Sequence, residues 1–295
     1  MKTIRQTGVI AILLFFTQAI HTVSAQSYDE NRTVKETSFE WPGGKKMALS
    51  LTFDDARYSQ VDKGIPLLDK YGVKATFYVV PGNMMDRLDG WKEAVAAGHD
   101  IGNHSLVHPC TGNFAWSRRS ALEDYTLEEM YDELDSASRF IEKELGVRPV
   151  SFAYPCGQTF VGRGIDTKSY IPVVASLFET GRGWLDEGPN DPGFCDFSQL
   201  TGMELDGKSF DQVKILIEAA RATGSWLILA GHETDDGGNQ TSLLTTIEEI
   251  CQYALDPSNG IWIDNVHQVT SYLIRQRGEK LQSVPDSVRP HIGCP

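Results

Sequence analysis

The chain has 295 residues, 41% of them hydrophobic, which is enough to bury one large core. Its 40 acidic residues outnumber 27 basic ones, for a formal charge of −13. A surface this acidic repels phosphate backbones, which excludes nucleic acid as a partner.

In chain order, the first predicted element is a targeting segment. Lys2 and Arg5 precede the apolar run Gly8 to Ile20, and Val23-Ser24-Ala25 has the small-x-small pattern of a signal-peptidase site. The run is shorter than the roughly 20 residues a membrane helix needs. Residues 1–25 are therefore expected to be a secretory signal, with a retained anchor as the alternative. Removal of Lys2 and Arg5 with the signal takes the formal charge from −13 to −15 and leaves a secreted or periplasmic chain with no stable membrane span. Residues 26–44 read as a polar leader, with Trp41-Pro42-Gly43-Gly44 marking entry to a single domain over 45–295. All five cysteines (Cys110, Cys156, Cys195, Cys251, Cys294) lie in the exported part, where disulfides persist, and an odd number leaves at least one without a partner in the chain.

Within the domain, short apolar runs alternate with amphipathic ones and no repeat is present. Strands are predicted at 47–53, 73–80, 99–104, 150–154, 172–178, weakly at 198–203, 226–231 and 261–266. Helices are predicted near 60–71, 89–97, 209–223, 241–255 and 267–277. A longer one spans 127–145, opened by the capping box Thr126-x-x-Glu129 and closed at Gly146. Seven or eight strands alternating with helices point to a (β/α) barrel; an open doubly wound sheet has the same periodicity and remains the alternative.

A barrel gathers its chemistry at the C-terminal ends of its strands. The first strand, Met47-Ala48-Leu49-Ser50-Leu51-Thr52-Phe53, stops on Asp54-Asp55. Successive side chains on an extended backbone diverge, so one Asp can bind a cation while the other handles a proton. The third strand is followed by His104-Ser105-Leu106-Val107-His108-Pro109. Two imidazoles four apart share a face if the segment turns helically, and imidazole is a ligand for zinc and its neighbours. With Asp55 they make three protein ligands and leave positions open, the arrangement of a catalytic metal site. Tyr154-Pro155-Cys156-Gly157 follows the fourth strand, Arg182 and Trp184 the fifth, and His232 closes the apolar run Leu227–Gly231, where a general acid is expected. Asp264 lies in the last strand.

Thr52-Phe53-Asp54-Asp55, His104-Ser105-x-x-His108-Pro109, Phe152-Ala153-Tyr154-Pro155-Cys156-Gly157 and Leu227-Ile228-Leu229-x-x-His232 together resemble the ordered motifs of the polysaccharide deacetylases, the NodB-homology group of carbohydrate esterase family four. The resemblance runs from about residue 45 to 277. It implies a distorted (β/α) barrel that hydrolyses acetyl groups from an acetylated polysaccharide or oligosaccharide with one divalent metal ion, zinc, cobalt or nickel. By position it makes Asp54 the general base, Asp55, His104 and His108 the metal ligands, His232 the general acid, and the backbone N–H of Cys156 an oxyanion contact.

The third motif departs from the Arg-Pro-Pro-Tyr-Gly of many members, whose Arg positions the catalytic Asp. Arg182 is the candidate replacement, and Asp264, ahead of Asp186 and Asp191, is the candidate partner for His232. Cys110 and Cys156 each follow a Pro at the barrel mouth, so either a disulfide joins them or both are buried thiols. Phe114 and Trp116 in the long loop 111–125, with Tyr154 and Trp184, are candidates for stacking on sugar rings. Sequons occur at Asn31, Asn103 and Asn239; a glycan on Asn103 would block the metal site, so they are read as chance.

Overall fold

The computed structural model describes residues 39–279. The signal segment, most of the leader, Asn31 and Cys294 lie outside the described residues. The frame is eight parallel strands: β1 Met47–Asp54, β2 Thr76–Val79, β3 Asp100–Asn103, β4 Ser151–Ala153, β5 Thr180–Arg182, β6 Met203–Glu204, β7 Trp226–Gly231 and β8 Ile261–Ile263. Their order is β5-β4-β3-β2-β1-β7-β6, with β8 beside β1.

The centre of the sheet is β1, and all eight of its residues are buried. Ala48–Phe53 pair with β7 along one edge. The other edge is shared, Met47–Leu49 with β8 and Thr52–Asp54 with β2. One strand thus has three neighbours, which is one way the barrel is distorted. The sheet also closes. Leu200 donates its N–H to the Gly181 carbonyl (2.8 Å) and its carbonyl accepts from Gly183 (2.8 Å), while three residues later Met203 and Glu204 pair with β7. The chain from Leu200 to Glu204 therefore bridges the two sheet edges, and the open doubly wound alternative is set aside.

Because every β1 position is buried, alternation is read from partners rather than exposure. Met47, Leu49, Leu51 and Phe53 pack outward against Leu68, Ile217, Ile247 and Ile250 of the surrounding helices. Each such side chain taken fully out of water contributes about 1.5–3 kcal/mol. The intervening Ser50 and Thr52 bond inside the sheet, Ser50 Oγ accepting from the Trp226 indole (3.0 Å) and Thr52 Oγ1 donating to the Leu229 carbonyl (2.9 Å). The floor, at the N-terminal ends of the strands, is sealed by the helix Val266–Arg277, with Val266, Val269 and Leu273 packed on Ala48, Trp226 and Ile228.

The helix Leu127–Leu145 forms where its capping box requires, and Gly146 stops it at φ 74°. One expected element changes type: 172–178 was read as a strand, but Ile171–Leu177 is a helix, and the fifth strand is Thr180–Arg182. Periodicity cannot separate a seven-residue apolar run into strand or helix. Pro172 in the first helical turn, where its missing N–H costs nothing, was the available signal.

Candidate active site

At the end of β1 the backbone turns left-handed for two non-glycine residues, Asp55 (φ 76°) and Ala56 (φ 55°), with Asn83 Nδ2 donating to the Asp55 carbonyl (2.9 Å). The turn sends the two carboxylates apart. Asp55 Oδ1 lies 3.4 Å from Nε2 of both His104 and His108, and its other oxygen accepts from Arg57 Nη2 (2.8 Å) and Nε (3.2 Å). Asp54 instead takes the Arg182 guanidinium on Oδ1.

The His104–His108 segment is not helical, contrary to the expectation from spacing. It is a loop with Ser105 (φ 64°) and His108 (φ 55°) left-handed. Asn103 Oδ1 accepts from the Ser105 N–H (2.6 Å), Ser105 Oγ from the His108 N–H (2.9 Å), and Glu133 of the long helix from Leu106 (3.0 Å) and Val107 (2.8 Å). Those bonds replace helical ones and aim both imidazoles at Asp55. Asn103 is fully buried, its amide donating to the Leu134 carbonyl and Ser138, so it is closed to a glycan.

The donor set fits a divalent cation. One ligand atom from each of Asp55, His104 and His108 lies within 4.8 Å of the others. His104 Nδ1 is 2.9 Å from the Ala153 carbonyl, which only accepts, so Nδ1 carries the hydrogen and Nε2 keeps its lone pair toward the site. Burial, with the neighbouring His104, pushes His108 down to about 4, so it is neutral at neutral pH. Burial alone would raise Asp55, but the hydrogen bond and charge of His104, with His108 and His232 beyond, hold it well below the usual carboxylate range.

Arg182 is fully buried inside the barrel, packed over the Tyr78 ring at 4.9 Å, with Nη1 donating to the Gly183 carbonyl (2.8 Å) and Nη2 to Asp54. Burial would lower its pKa, but the Asp54 charge more than offsets this, and it stays a cation. Opposite Asp54 stands His232. Its Nδ1 donates to Asp206 Oδ2 (2.7 Å), while Asp206 Oδ1 accepts from the His232 N–H (3.1 Å) and Ser242 Oγ (2.7 Å). The carboxylate on His232 is therefore Asp206 rather than Asp264, whose Oδ1 instead accepts from the Asn265 N–H (2.9 Å). Asp186 and Asp191 are likewise engaged elsewhere, with the N–H groups of Gly202 (2.8 Å) and Gly193 (2.7 Å). Gly231 makes the approach possible, because a Cβ there would meet Ser242 Oγ and Asp206. Burial lowers His232, but the Asp206 hydrogen bond and the charges of Asp54 and Asp55 leave it raised.

Asp206 was missed because the sixth strand is weak; the strand-end rule applied there reaches Leu205-Asp206. Gln60 carried no such signal. Its Nε2 donates to the carbonyls of both Asp54 (2.6 Å) and His232 (2.8 Å), tying β1 to the end of β7.

Cys110 and Cys156 are disulfide-bonded, Cα–Cα 6.1 Å. The bridge joins the His108 loop to the turn carrying Cys156, itself left-handed at φ 55°. Tyr154 is buried, its hydroxyl donating to the Ser198 carbonyl (2.7 Å), which leaves it a wall rather than a stacking face. Trp184 sits edge-on to His232 at 4.9 Å. Trp116 is 64% exposed, stacks on Phe114 and lies 5.9 Å from the His108 ring. One apolar face thus lies beside His108 and the other beside His232.

Residues 42–163 match the family model for polysaccharide deacetylase. Over that segment the chain is similar to the polysaccharide deacetylases. The peptidoglycan-N-acetylglucosamine deacetylase PgdA of Listeria monocytogenes is 25% identical over 133 residues, 45% of this chain and 26% of that protein. A Bacillus gellan lyase is 24% identical over 257 residues, 79% of this chain but 10% of the lyase. The chain thus spans about a quarter or less of these curated relatives. A Mycobacterium smegmatis structure assigned to the polysaccharide deacetylases superposes with TM-score 0.58 at 17% identity, over 86% of this chain and 98% of the other, a likeness of fold. The site keeps the carboxylates and imidazoles of the motifs, and an Arg on Asp54 reaches it from β5 instead of the third motif.

Proposed function

We propose that the chain is an exported, metal-dependent hydrolase that removes acetyl groups from N-acetylglucosamine-containing glycan. The observation that carries this reading is the division of two adjacent carboxylates, Asp55 turned to the two imidazoles and Asp54 turned to Arg182, with His232 on Asp206 facing them.

Asp55, His104 and His108 would hold the cation. A divalent ion there, zinc, cobalt or nickel, supplies a Lewis acid for the acetyl carbonyl and lowers the pKa of water toward 7. Asp54, with Oδ1 on Arg182, takes the proton of the attacking water on its other oxygen. Arg182 is a positioning residue: its planar fork holds the carboxylate at one angle. The backbone N–H of Cys156 donates to the developing oxyanion, in a turn held by the disulfide to the loop of His108. His232 has Nδ1 committed to Asp206, so Nε2 is the atom that delivers a proton to the leaving amine. Trp116 and Trp184 bracket the sugar, excluding water along its faces.

Acetate release from chitooligosaccharide, peptidoglycan and acetylxylan, measured in parallel, tests the substrate class. Release from the amide substrates above acetylxylan is expected; the reverse order makes it an ester hydrolase, and no release from any of them with metal bound makes it a glycan-binding barrel. The carboxylate roles are tested separately. Asp54→Asn should keep metal affinity within a few-fold while kcat falls about 10²–10⁴. Asp55→Asn should weaken metal binding, with activity partly restored by added metal. Metal lost in Asp54→Asn and kept in Asp55→Asn would exchange the roles.

A further inference from the structure

Asp55 has two carboxylate oxygens, and its surroundings treat them differently. Oδ1 lies 3.4 Å from Nε2 of His104 and 3.4 Å from Nε2 of His108, inside the donor set. Oδ2 accepts from Nη2 (2.8 Å) and Nε (3.2 Å) of Arg57. A carboxylate oxygen has two lone-pair directions, so one planar guanidinium fills both of those on Oδ2. The left-handed turn makes a pair at this spacing possible. Asp55 (φ 76°) and Ala56 (φ 55°) double the chain back and bring Arg57 against the carboxylate two residues before it.

The guanidinium is also met from the segment after β7. Arg57 Nη1 lies 4.0 Å from Glu233 Oε1. Glu233 Oε2 accepts from Ser59 Oγ, which accepts in turn from the Thr234 N–H (2.9 Å), and Thr234 Oγ1 donates to the Ser59 carbonyl (2.8 Å). The two contacts of Arg57 differ in weight. The side chains of Arg57 and Glu233 are 38% and 32% exposed, and an ion pair open to water at that distance contributes little. The Asp55 side chain is only 11% exposed and takes two hydrogen bonds, so it is the partner that fixes the guanidinium.

We propose that Arg57 is a positioning residue that restricts Asp55 to one free oxygen, so that the carboxylate offers a single donor atom to a cation and the remaining positions stay open to water and substrate. The inference rests on the reading of Asp55, His104 and His108 as the metal ligands. A carboxylate released from the fork can offer both oxygens, and the second would fill a position that a catalytic site keeps open. The guanidinium is in addition a fixed positive charge on the far side of the carboxylate, which opposes the binding of a cation. Arg57 therefore lowers metal affinity while it keeps coordination positions free. A residue that only braced the turn would act in the opposite sense, because its removal would loosen the ligands and weaken binding.

The test uses the full chain, stripped by chelation and reloaded with zinc or cobalt(II). In Arg57→Met, which removes the donors and the charge, zinc should bind about 10-fold tighter in competition with a chromophoric chelator. Its kcat for acetate release from chitooligosaccharide should fall about 10-fold. The visible absorption of the cobalt(II) protein should change as the carboxylate gains a second contact. In Arg57→Lys, which keeps the charge but lacks the fork, the spectrum should change in the same sense with a smaller gain in affinity. Zinc binding that is unchanged or weaker in Arg57→Met, or a cobalt spectrum unchanged in either variant, overturns the inference and leaves the ligand reading intact. A wild-type chain that binds neither metal overturns the ligand reading, and the role of Arg57 with it.

Discussion

The mouth and the floor of the barrel are built from the same eight strands but by opposite rules. At the mouth, six of the seven non-glycine residues with positive φ among the described residues (Asp55, Ala56, Ser105, His108, Cys156, Leu185) lie in the turns that follow β1, β3, β4 and β5, strands whose ends carry the buried charges Asp54 and Arg182. Each such conformation costs of order 1–3 kcal/mol and persists only where the surroundings over-determine it. The floor is regular and, around Trp41, apolar. Trp41, Trp262 and Tyr272 pack together, Trp41 on Tyr272 at 6.2 Å and 21°, with the Trp41 indole donating to the Gly224 carbonyl (2.8 Å). The difference teaches that stability generated at one end holds strained, charged side chains in working positions at the other.

Substitutions at the two ends should therefore separate activity from stability. The largest expected loss of activity is from His104→Ala, which removes the proposed ligand whose Nδ1 is locked on Ala153. Metal retention should fall at least 10-fold and acetate release should disappear, both measurable on dialysed protein. Stoichiometric metal in a His104→Ala, His108→Ala double variant would sink the triad. Next is Arg182→Lys, which keeps a cation but loses the planar fork. A kcat decrease of about 10² with metal content unchanged is expected, since displacing a reacting group by 1 Å costs that much. If kcat holds, Asp54 does not depend on Arg182.

Asp206→Asn should be milder and is read as a pH profile. His232 is raised by Asp206 against the effect of burial, so its acid form survives to higher pH and is lost as pH rises through that value. Without the carboxylate its pKa falls, and the alkaline limb of kcat/KM should move to lower pH. An unmoved limb assigns the limb to another group. Last comes the floor. Trp41→Ala should cost about 3–5 kcal/mol in denaturant unfolding while leaving kcat per folded molecule unchanged. A change in kcat would mean the floor and the mouth are coupled.

The sequence by itself determined the parts whose information is local. Asp54-Asp55 closing an apolar run and His104 and His108 closing another are strand ends, legible because a hydrophobic run and its stop lie side by side in the chain. The helix Leu127–Leu145 was legible from its own cap for the same reason. Tertiary structure decided what depends on residues far apart. Whether the sheet closes turned on Leu200 meeting Gly181 and Gly183, and which acid orients His232 turned on a two-residue strand, Met203–Glu204, too short to announce itself. Ile171–Leu177 read as strand because a short buried run has the same composition in either state, and only packing distinguishes them. Arg182 lies 128 residues from Asp54 in sequence; it could be named as a candidate from the end of an apolar run, but only closure of the barrel brings its guanidinium onto the carboxylate.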